Sequence, residues 1–401
     1  MSRRLLSLLT AVALIIIFTI PAFADPTDQA QPNGPFPTDT QNISLNAYHD
    51  YDELIKTLKQ LESNSKGEVV LEVVGQSRQG RDIYMVKVGH GPDNVMMISQ
   101  QHGNEPHGTE AVLNLIQDIS KNGNAAFSQI REKLTVNIIV RVNPDGAILE
   151  RRDNYNPDVP NSRTFAQEIG WVDPDTGQIP TRLANEKYGM YTYVGSGVDL
   201  NRFHFIDWTT SPMYKYWPTF FPENPGTESA MVAQVVANMN PKPLWFVDLH
   251  EQGSNVTPDG KLVTFSLDTA HVTNDWASDL LDERVQEASK LLVVINEAVQ
   301  QYGYAGVTRY AAPSAYAGRS RNQYMQVLGI PGILIEMRGQ FDNLGVKANG
   351  MITKNCYHNL FAILDATAND TLWSTDWIKV TEIPNGESYW KELPNGEQDE
   401  E

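Results

Sequence analysis

The alternation of helical and strand-like segments constrains the fold of this chain most strongly. Within residues 48–366, amphipathic runs such as TESAMVAQVVANM alternate with short apolar runs such as LTVNIIVRV and GILIEM. Apolar runs of this kind are typical of strands buried on both faces, and their alternation with helices is typical of parallel sheets. A hairpin-like connection, SRQGR, joins two further strand-like runs. The sequence therefore predicts an α/β fold of three layers, α/β/α, with a mixed, mainly parallel central sheet.

The N-terminus has the pattern of a secretory signal peptide. Arg3 and Arg4 precede an apolar run over residues 5–20, and Pro-Ala-Phe-Ala ends at Ala24. A charged region, an apolar region and a small-residue cleavage site, in this order, are typical of a segment that is removed on export. We therefore predict a signal peptide over residues 1–24, cleavage after Ala24, and a secreted or periplasmic mature protein without a stable membrane anchor. An uncleaved anchor is the alternative interpretation.

Composition divides the rest of the chain into three parts. Residues 25–45 are rich in Pro, Asp, Gln and Asn, which predicts an exposed leader. Residues 46–370 carry the regular pattern and form the predicted domain, in which residues 153–197 lack an apolar period and are expected to be a long loop. Residues 371–401 are expected to be a tail that packs partly through its aromatic side chains.

Charge and cysteine content restrict the partners and the means of stabilisation. The formal net charge of −18 argues against nucleic acid or an anionic membrane as a partner. The only cysteine, Cys356, cannot form an intrachain disulfide and is interpreted as a small buried residue of a helix. We expect a monomer.

Two strand ends carry side chains that could bind one metal ion. His102 and Glu105 follow the run NVMMIS, and His250 ends the run LWFVDLH. Imidazole and carboxylate are zinc ligands, and sites in open α/β sheets form beyond the carboxyl ends of strands. Asp248 or Glu251 could support the ligands. Each residue alone is ambiguous, since a polar turn or a hydrogen-bonded core histidine explains it equally well.

Glu336 ends a third apolar strand, GILIEM. Burial raises the pKa of a carboxyl group, and a raised pKa suits a general base that takes a proton from water at a zinc site. A buried ion pair, with Arg338 as the partner, is the alternative interpretation.

The order of these motifs resembles that of the zinc metallocarboxypeptidases of the carboxypeptidase A-like family. The resemblance spans roughly residues 48–366 and includes the stretch GQSRQGRDI. The motifs, in chain order, are His-Gly-Asn-Glu from His102, Asn-Pro-Asp-Gly from Asn143, Asp-Leu-Asn-Arg from Asp199, Asp-Leu-His from Asp248 and Glu-Met-Arg from Glu336. The resemblance implies the fold of that family, one Zn²⁺ ion, and hydrolysis of the C-terminal peptide bond of peptides with a free terminal carboxylate.

The resemblance also implies roles for single residues. His102, Glu105 and His250 correspond to the zinc ligands, and Glu336 corresponds to the catalytic base. The set that would hold substrate comprises Asn201 and Arg202 for the terminal carboxylate, and Arg152 for the scissile carbonyl, with Arg151 and Arg163 as alternatives to Arg152.

Two more positions are implied to contact the last residue of the substrate. Tyr316 matches the tyrosine that closes over substrate, with Tyr310 as the alternative. Arg321 matches the residue that reads the last side chain, and a cation there predicts a preference for acidic C-terminal residues. A structural or surface arginine is the alternative. Asn104 stands where many animal members have an arginine, and the long loop is expected to cover or narrow the cleft.

Other functions compete with the peptidase interpretation. The His-Gly-Asn-Glu motif also resembles the aspartoacylase and succinylglutamate desuccinylase branch, which removes acyl groups from amino acids. A binding protein that has lost catalysis is disfavoured because all ligands and the base are present. A non-metal hydrolase is disfavoured because the chain lacks a G-x-S-x-G motif. His107 is expected near the site, supporting it at most, and not on the zinc.

Overall fold

The computed structural model describes residues 48–185, 187–193, 197–253, 255–260, 263–269, 279–300, 306–310, 316–338 and 345–388. The predicted signal peptide, the leader and the last part of the tail lie outside these residues. In the described part of the chain, no helix is both long and apolar enough to span a membrane.

The strands are named here in chain order. They are β1 (Val69–Gln76), β2 (Asp82–Val88), β3 (Asp93–Ser99), β4 (Leu134–Ile139), β5 (Thr192–Tyr193), β6 (Gly197–Val198), β7 (Phe246–Gln252), β8 (Asn255–Val256), β9 (Phe265–Thr269), β10 (Val307–Arg309), β11 (Gly332–Arg338) and β12 (Glu387–Ser388).

The α-helices are named in the same way. They are α1 (Tyr51–Asn64), α2 (His107–Lys121), α3 (Ala125–Lys133), α4 (Pro144–Ile148), α5 (Phe165–Glu168), α6 (Pro212–Tyr216), α7 (Thr227–Asn238), α8 (Asp279–Gln300), α9 (Ser320–Leu328) and α10 (Gly345–Ala368). Short 3₁₀ turns cover Leu200–Arg202, Trp208–Thr210, Leu372–Ser374 and Trp377–Glu382.

Eight strands form the central sheet in the order β1-β2-β4-β3-β7-β11-β9-β10. The middle strands pair in parallel, β4 with β3, β3 with β7 and β7 with β11, and so do β9 and β10 at one edge. The hairpin β1-β2, the β2-β4 pair and the β11-β9 pair are antiparallel. The predicted mixed, mainly parallel sheet is confirmed.

Apolar side chains cover the sheet on both faces. Along β3, Val95 and Met97 join a core with helices α1, α2, α3, α8 and α10, while Met96 and Ile98 join a second core with α7 and the long loop. Successive side chains of a strand point to opposite faces, so one apolar strand serves both cores. This arrangement gives the three predicted layers. Cys356 is buried in the first core, as expected.

Polar contacts tie the β1-β2 turn to the short helix α4. The Asp145 carboxylate is fully buried and accepts hydrogen bonds from Ser77 Oγ at 2.8 Å, from the Gln79 amide at 2.9 Å and from Arg81 Nη1 at 2.6 Å. A buried carboxylate requires such donors, because its desolvation is otherwise uncompensated. The Asn-Pro-Asp-Gly segment is thereby fixed beside the carboxyl end of the sheet.

Several elements differ from the sequence prediction, among them helix α2 and strands β9 and β10. Helix α2 begins at His107, one or two residues before the expected start, because Pro106 itself adopts helical φ and ψ. Strands β9 and β10 were not predicted. The run of β9, FSLDT, is fully buried although it contains Ser266 and Asp268, so its polar residues hide the apolar pattern of a strand.

Residues of the predicted tail lie against helix α8. Lys290 Nζ donates to the Trp373 carbonyl at 2.6 Å, and Lys379 pairs with Glu297 at 2.7 Å. Strand β12 pairs with β8. The described part of the tail, up to Ser388, is therefore built onto the main body.

Candidate active site

Three candidate metal ligands converge at the carboxyl edge of the sheet. His102 and Glu105 lie in the turn between β3 and α2, and His250 lies in β7, the next strand of the sheet. His102 Nδ1 is 2.8 Å from Glu105 Oε1, and His250 Nδ1 is 3.0 Å from Glu105 Oε2. All three side chains are buried, and one ligand atom of each lies within 4.8 Å of the others. Pro106 keeps Glu105 out of helix α2, as expected.

The donor set of these residues fits a cation. His102 Nε2 is 3.0 Å from Asp199 Oδ1, and His250 Nε2 is 3.1 Å from Asp248 Oδ2. Each imidazole therefore has a carboxylate at both ring nitrogens. With a cation bound between the Nδ1 atoms and Glu105, each histidine would carry its proton on Nε2, toward Asp199 or Asp248, and present the lone pair of Nδ1. The two Nδ1 atoms lie 3.0 Å apart. Lone pairs at this distance repel unless a cation lies between them, and two imidazoles with one carboxylate suit zinc.

Asp199 connects the candidate ligands to two arginines. Its Oδ1 accepts from His102 and from the Asn201 amide at 2.9 Å, while Oδ2 lies 3.2 Å from Arg152 Nη2 and 3.4 Å from Arg202 Nη1. Burial raises the pKa of this carboxyl group, but the charges of Arg152, Arg202 and His102 outweigh it and hold the pKa well below its usual range. Asp199 is therefore ionised whenever the protein is folded near neutral pH.

Glu336 lies on β11 directly beside His250. The two residues are partners in the parallel register of β11 and β7, so their side chains share one face of the sheet. Burial raises the pKa of the Glu336 carboxyl to about 7, against the lowering effects of His250 and Arg152. A carboxyl group with this pKa can accept and return a proton at neutral pH.

The structure separates the three arginines considered for the scissile carbonyl. Arg152 Nη1 lies 3.5 Å from Glu105 Oε1, so its guanidinium borders the ligand set. Arg151 turns away, donates to the Asn154 carbonyl and lies 5.8 Å from the centre of the Tyr155 ring. Arg163 is exposed on the long loop. Arg152 is therefore the best placed of the three.

Asn201 and Arg202 lie side by side next to the ligand set. Asn201 Oδ1 accepts from the Ser320 amide at 3.1 Å, which fixes the side-chain amide. The guanidinium of Arg202 lies 4.9 Å from the centre of the Tyr191 ring, a cation–π contact from the long loop. The long loop thus contacts Arg202 through Tyr191.

Tyr316 is buried against the same loop. Its ring packs edge-on against Tyr191, with the centroids 5.2 Å apart, and its hydroxyl points at the Gly189 carbonyl, 3.5 Å away. Gly189 has a φ of +67°, and a Cβ there would lie 2.8 Å from the Tyr316 hydroxyl, so the close approach requires glycine. The alternative, Tyr310, follows β10 at the edge of the sheet.

Arg321 is fully buried and paired. Its Nη2 lies 2.6 Å from Asp268 Oδ2 on β9, while Nε and Nη1 have no hydrogen-bond acceptor among the described residues. Arg319 lies close enough that burial, together with the charges of Arg202 and Arg321, lowers its pKa to about 10. The charges of Arg202, Arg321 and Asp268 therefore all act on Arg319.

His107 lies behind the ligand set and outside it. Its Nδ1 is 2.8 Å from Glu251 Oε1, and its Nε2 is 2.9 Å from the Tyr48 hydroxyl. The backbone amide of Glu251 donates to Glu105 Oε2 at 3.0 Å. Glu251 thus holds both His107 and a candidate ligand, in the supporting position considered from the sequence.

Sequence reasoning missed several residues that shape this site. They are Gln101, Tyr191, His204, Asp268 and Tyr324. The position of Gln101, directly before His102, was a usable signal. The others come from distant segments, so no local pattern marks them.

Comparison with known proteins decides the family. A family model described as zinc carboxypeptidase matches residues 54–360, most of the chain. The chain belongs to the zinc carboxypeptidase family. The resemblance read from the motifs is confirmed, and zinc is the cofactor of this family member.

Individual relatives are distant and match only part of the chain. The human carboxypeptidase N catalytic chain is 28% identical over 155 residues, which cover 35% of this chain and 33% of the relative. A zinc carboxypeptidase from Saccharothrix mutabilis subsp. capreolus is 29% identical over 107 residues, 25% of each chain. The matched region thus spans about a third or less of the length of these curated relatives.

Solved structures share the fold. Carboxypeptidase A from Helicoverpa armigera superimposes with a TM-score of 0.53 at 18% identity, and the match covers 81% of this chain and 74% of that one. At this identity the likeness concerns the fold alone. It agrees with the mixed sheet between two helical layers described above.

Proposed function

We propose that this protein is a zinc-dependent metallocarboxypeptidase that hydrolyses the C-terminal bond of peptides with a free terminal carboxylate. The observation that carries the proposal is the convergence of His102, Glu105 and His250 beside Glu336 and a group of arginines. Metal ligands, a base and carboxylate-binding cations are the parts that exopeptide hydrolysis requires.

The candidate ligands and the base have distinct roles in this proposal. His102, Glu105 and His250 hold the ion, which when bound supplies Lewis acidity that lowers the pKa of water and polarises a carbonyl group. Glu336 takes a proton from the attacking water and passes it to the leaving amine nitrogen. The raised pKa of Glu336 supports both transfers.

Arg152, Asn201 and Arg202 hold the substrate. Arg152 donates to the scissile carbonyl oxygen and stabilises the negative charge that develops there. Arg202 and Asn201 bind the terminal carboxylate, for which a guanidinium fork is suited. Tyr316 closes over the last residue of the substrate. Its contact with Tyr191 supports a substrate site that ends at the long loop.

Arg321 gives the site a preference for acidic C-terminal residues. Asp268 neutralises one side of its guanidinium, but the buried N–H groups of Nε and Nη1 remain without an acceptor among the described residues. Buried donors of this kind carry an uncompensated desolvation cost, which a substrate carboxylate would offset. Arg319 and Arg202 add positive charge to the same region.

A set of N-acetylated peptides that differ only in the last residue tests this function. We expect release of Asp and Glu to exceed release of Leu and Lys, and the R321M variant to lose that preference while still releasing Leu. The R284M variant, which changes a surface pair on α8, is the control. Equal release of all residues by the wild type would contradict the acidic preference. Hydrolysis of N-acyl amino acids without cleavage of any peptide would favour the deacylase function.

The remaining predictions from the sequence complete the proposal. We propose that residues 1–24 direct export to the periplasm or medium and are removed after Ala24, that residues 46–370 form the catalytic domain, and that the mature protein acts as a monomer without a nucleic acid or membrane partner. N-terminal sequencing of the exported protein tests the cleavage site. A mature chain that begins at Met1 would contradict it.

A further inference from the structure

A chain of hydrogen bonds connects helix α9 to His250 through the core. The Tyr324 hydroxyl is 2.8 Å from His204 Nδ1, and His204 Nε2 is 2.9 Å from Gln101 Oε1. Gln101 Nε2 donates to Asp248 Oδ2, which lies 3.1 Å from His250 Nε2. All five side chains are buried, with at most 1% exposed. Of the five residues in this series of hydrogen bonds, only His250 is a candidate metal ligand.

The chemistry of the groups gives this chain a direction. Among the described residues, the buried Tyr324 hydroxyl has no acceptor besides His204 Nδ1, so the hydroxyl donates. His204 is neutral, since burial lowers its pKa to about 4, and with Nδ1 accepting it carries its proton on Nε2. His204 therefore donates to Gln101 Oε1, which leaves the amide nitrogen of Gln101 facing Asp248.

The contact between Asp248 and His250 fixes which ring nitrogen of His250 carries the proton. Asp248 Oδ2 accepts from Gln101 Nε2 and from Ser320 Oγ, so the carboxylate is held in place beside the imidazole. Gln101 Nε2 and His250 Nε2 lie only 2.9 Å apart because both approach this one oxygen. A carboxylate so held keeps the His250 proton on Nε2 and the lone pair of Nδ1 toward the ligand set.

Loss of the Tyr324 hydroxyl would leave the orientation of the Gln101 side-chain amide undetermined. Without the Tyr324 hydroxyl, His204 could carry its proton on Nδ1 and accept at Nε2. The Gln101 amide would then be free to turn over and place Oε1 against Asp248, where two acceptors repel. The orientation of a group that touches a ligand thus depends on a hydroxyl three hydrogen bonds away from Asp248.

We propose that Tyr324, His204 and Gln101 are positioning residues that set the protonated nitrogen of His250, and through it the affinity of the site for zinc. The proposal rests on His250 as a zinc ligand, part of the proposed function, but not on peptide hydrolysis. It concerns a buried network that reaches His250 through the core.

Zinc affinity of the purified protein tests the proposal, measured by competition with a chromophoric chelator. We expect Y324F to bind zinc about tenfold more weakly than the wild type, the lower end of the effect of losing an outer-shell partner, because its hydroxyl acts on His250 through His204, Gln101 and Asp248. The absorption spectrum of the cobalt-substituted protein should change as well, since it reports ligand geometry. Y357F is the matched control, because it also removes a tyrosine hydroxyl that donates a hydrogen bond, here to Asp118 at 2.6 Å, but on the opposite face of the sheet.

A second variant covers the case in which Y324F does not fold. Q101L removes the amide and leaves Tyr324 and His204 in place, and it should also bind zinc at least about tenfold more weakly. Zinc dissociation constants within twofold of the wild type in the folded variants, with an unchanged cobalt spectrum, would overturn the proposal. Absence of zinc binding by the wild type would overturn the proposed function together with it.

Discussion

At the residue scale, the site is organised by carboxylates that are not themselves candidate metal ligands. Asp199 accepts from His102, Arg152 and Arg202, and so links a candidate ligand to the two arginines proposed to hold substrate. Asp248 lies beside His250 and accepts from Gln101 and Ser320. Because each buried carboxylate is shared among several donors, the positions of ligands and cations depend on each other.

The first prediction separates two neighbouring arginines. Arg152→Ala should lower kcat by about 10²- to 10³-fold with a smaller change in KM, because it removes a donor to the developing oxyanion. Arg151→Ala, the control, removes a side chain that binds the Asn154 carbonyl instead, and should change kcat by less than about threefold. Steady-state kinetics on one peptide measures both. A larger loss in Arg151→Ala would assign the role to Arg151.

The second prediction concerns pH. Burial raises the pKa of Glu336 to about 7, and the base acts only when ionised, so kcat/KM should fall as the pH drops through this pKa. The positive charge of bound zinc lowers the pKa, which places the midpoint at or below about pH 7. A pH profile of kcat/KM between pH 4 and 9 measures it. A rate that rises as the pH falls would contradict the role of Glu336.

At the element scale, the position of the site residues depends on the turns and loops that lie beside the strand ends. The turn between β1 and β2 is held by Asp145 of α4, and the long loop reaches Arg202 and Tyr316 through Tyr191. The loop, which breaks the regular α/β pattern, is therefore in contact with two residues that we propose to bind substrate.

The third prediction tests the turn. Asp145→Ala should lower the free energy of unfolding by about 3 kcal/mol, because it leaves Arg81 and two other donors without their buried acceptor. Asp158→Ala removes an exposed carboxylate paired with Arg78 and should cost less than about 1 kcal/mol. Denaturant unfolding of both variants provides the comparison. Equal losses would mean that the buried contacts contribute no more than the exposed pair.

The fourth prediction tests the loop. Tyr191→Leu removes the ring that flanks the Arg202 guanidinium, so KM for a peptide with a free C-terminus should rise about three- to tenfold while kcat changes little. Tyr214→Leu on α6 is the control. A Tyr191→Leu variant with unchanged KM would show that Arg202 needs no support from the loop.

At the scale of the whole molecule, the sequence predicts what local patterns encode. The layers, the mixed sheet and the approach of His102, Glu105 and His250 follow from apolar runs that end in polar residues, and the structure agrees with each. Contacts between distant segments leave no such pattern. The Arg321–Asp268 pair depends on β9, whose polar residues hide the strand, and the bond from Tyr324 to His204 joins positions 120 residues apart.

Release of the terminal amino acid from a peptide with a free C-terminus, followed by mass spectrometry, tests the proposed function most directly. Zinc-loaded wild type should release it, chelation should abolish release, and added zinc should restore it. Glu336→Gln should retain one zinc ion per chain yet release at least about 10²-fold less, because it lacks the base. Release of the amino acid by Glu336→Gln at the wild-type rate would contradict Glu336 as the base. Undiminished release after the zinc is removed would contradict a zinc-dependent reaction.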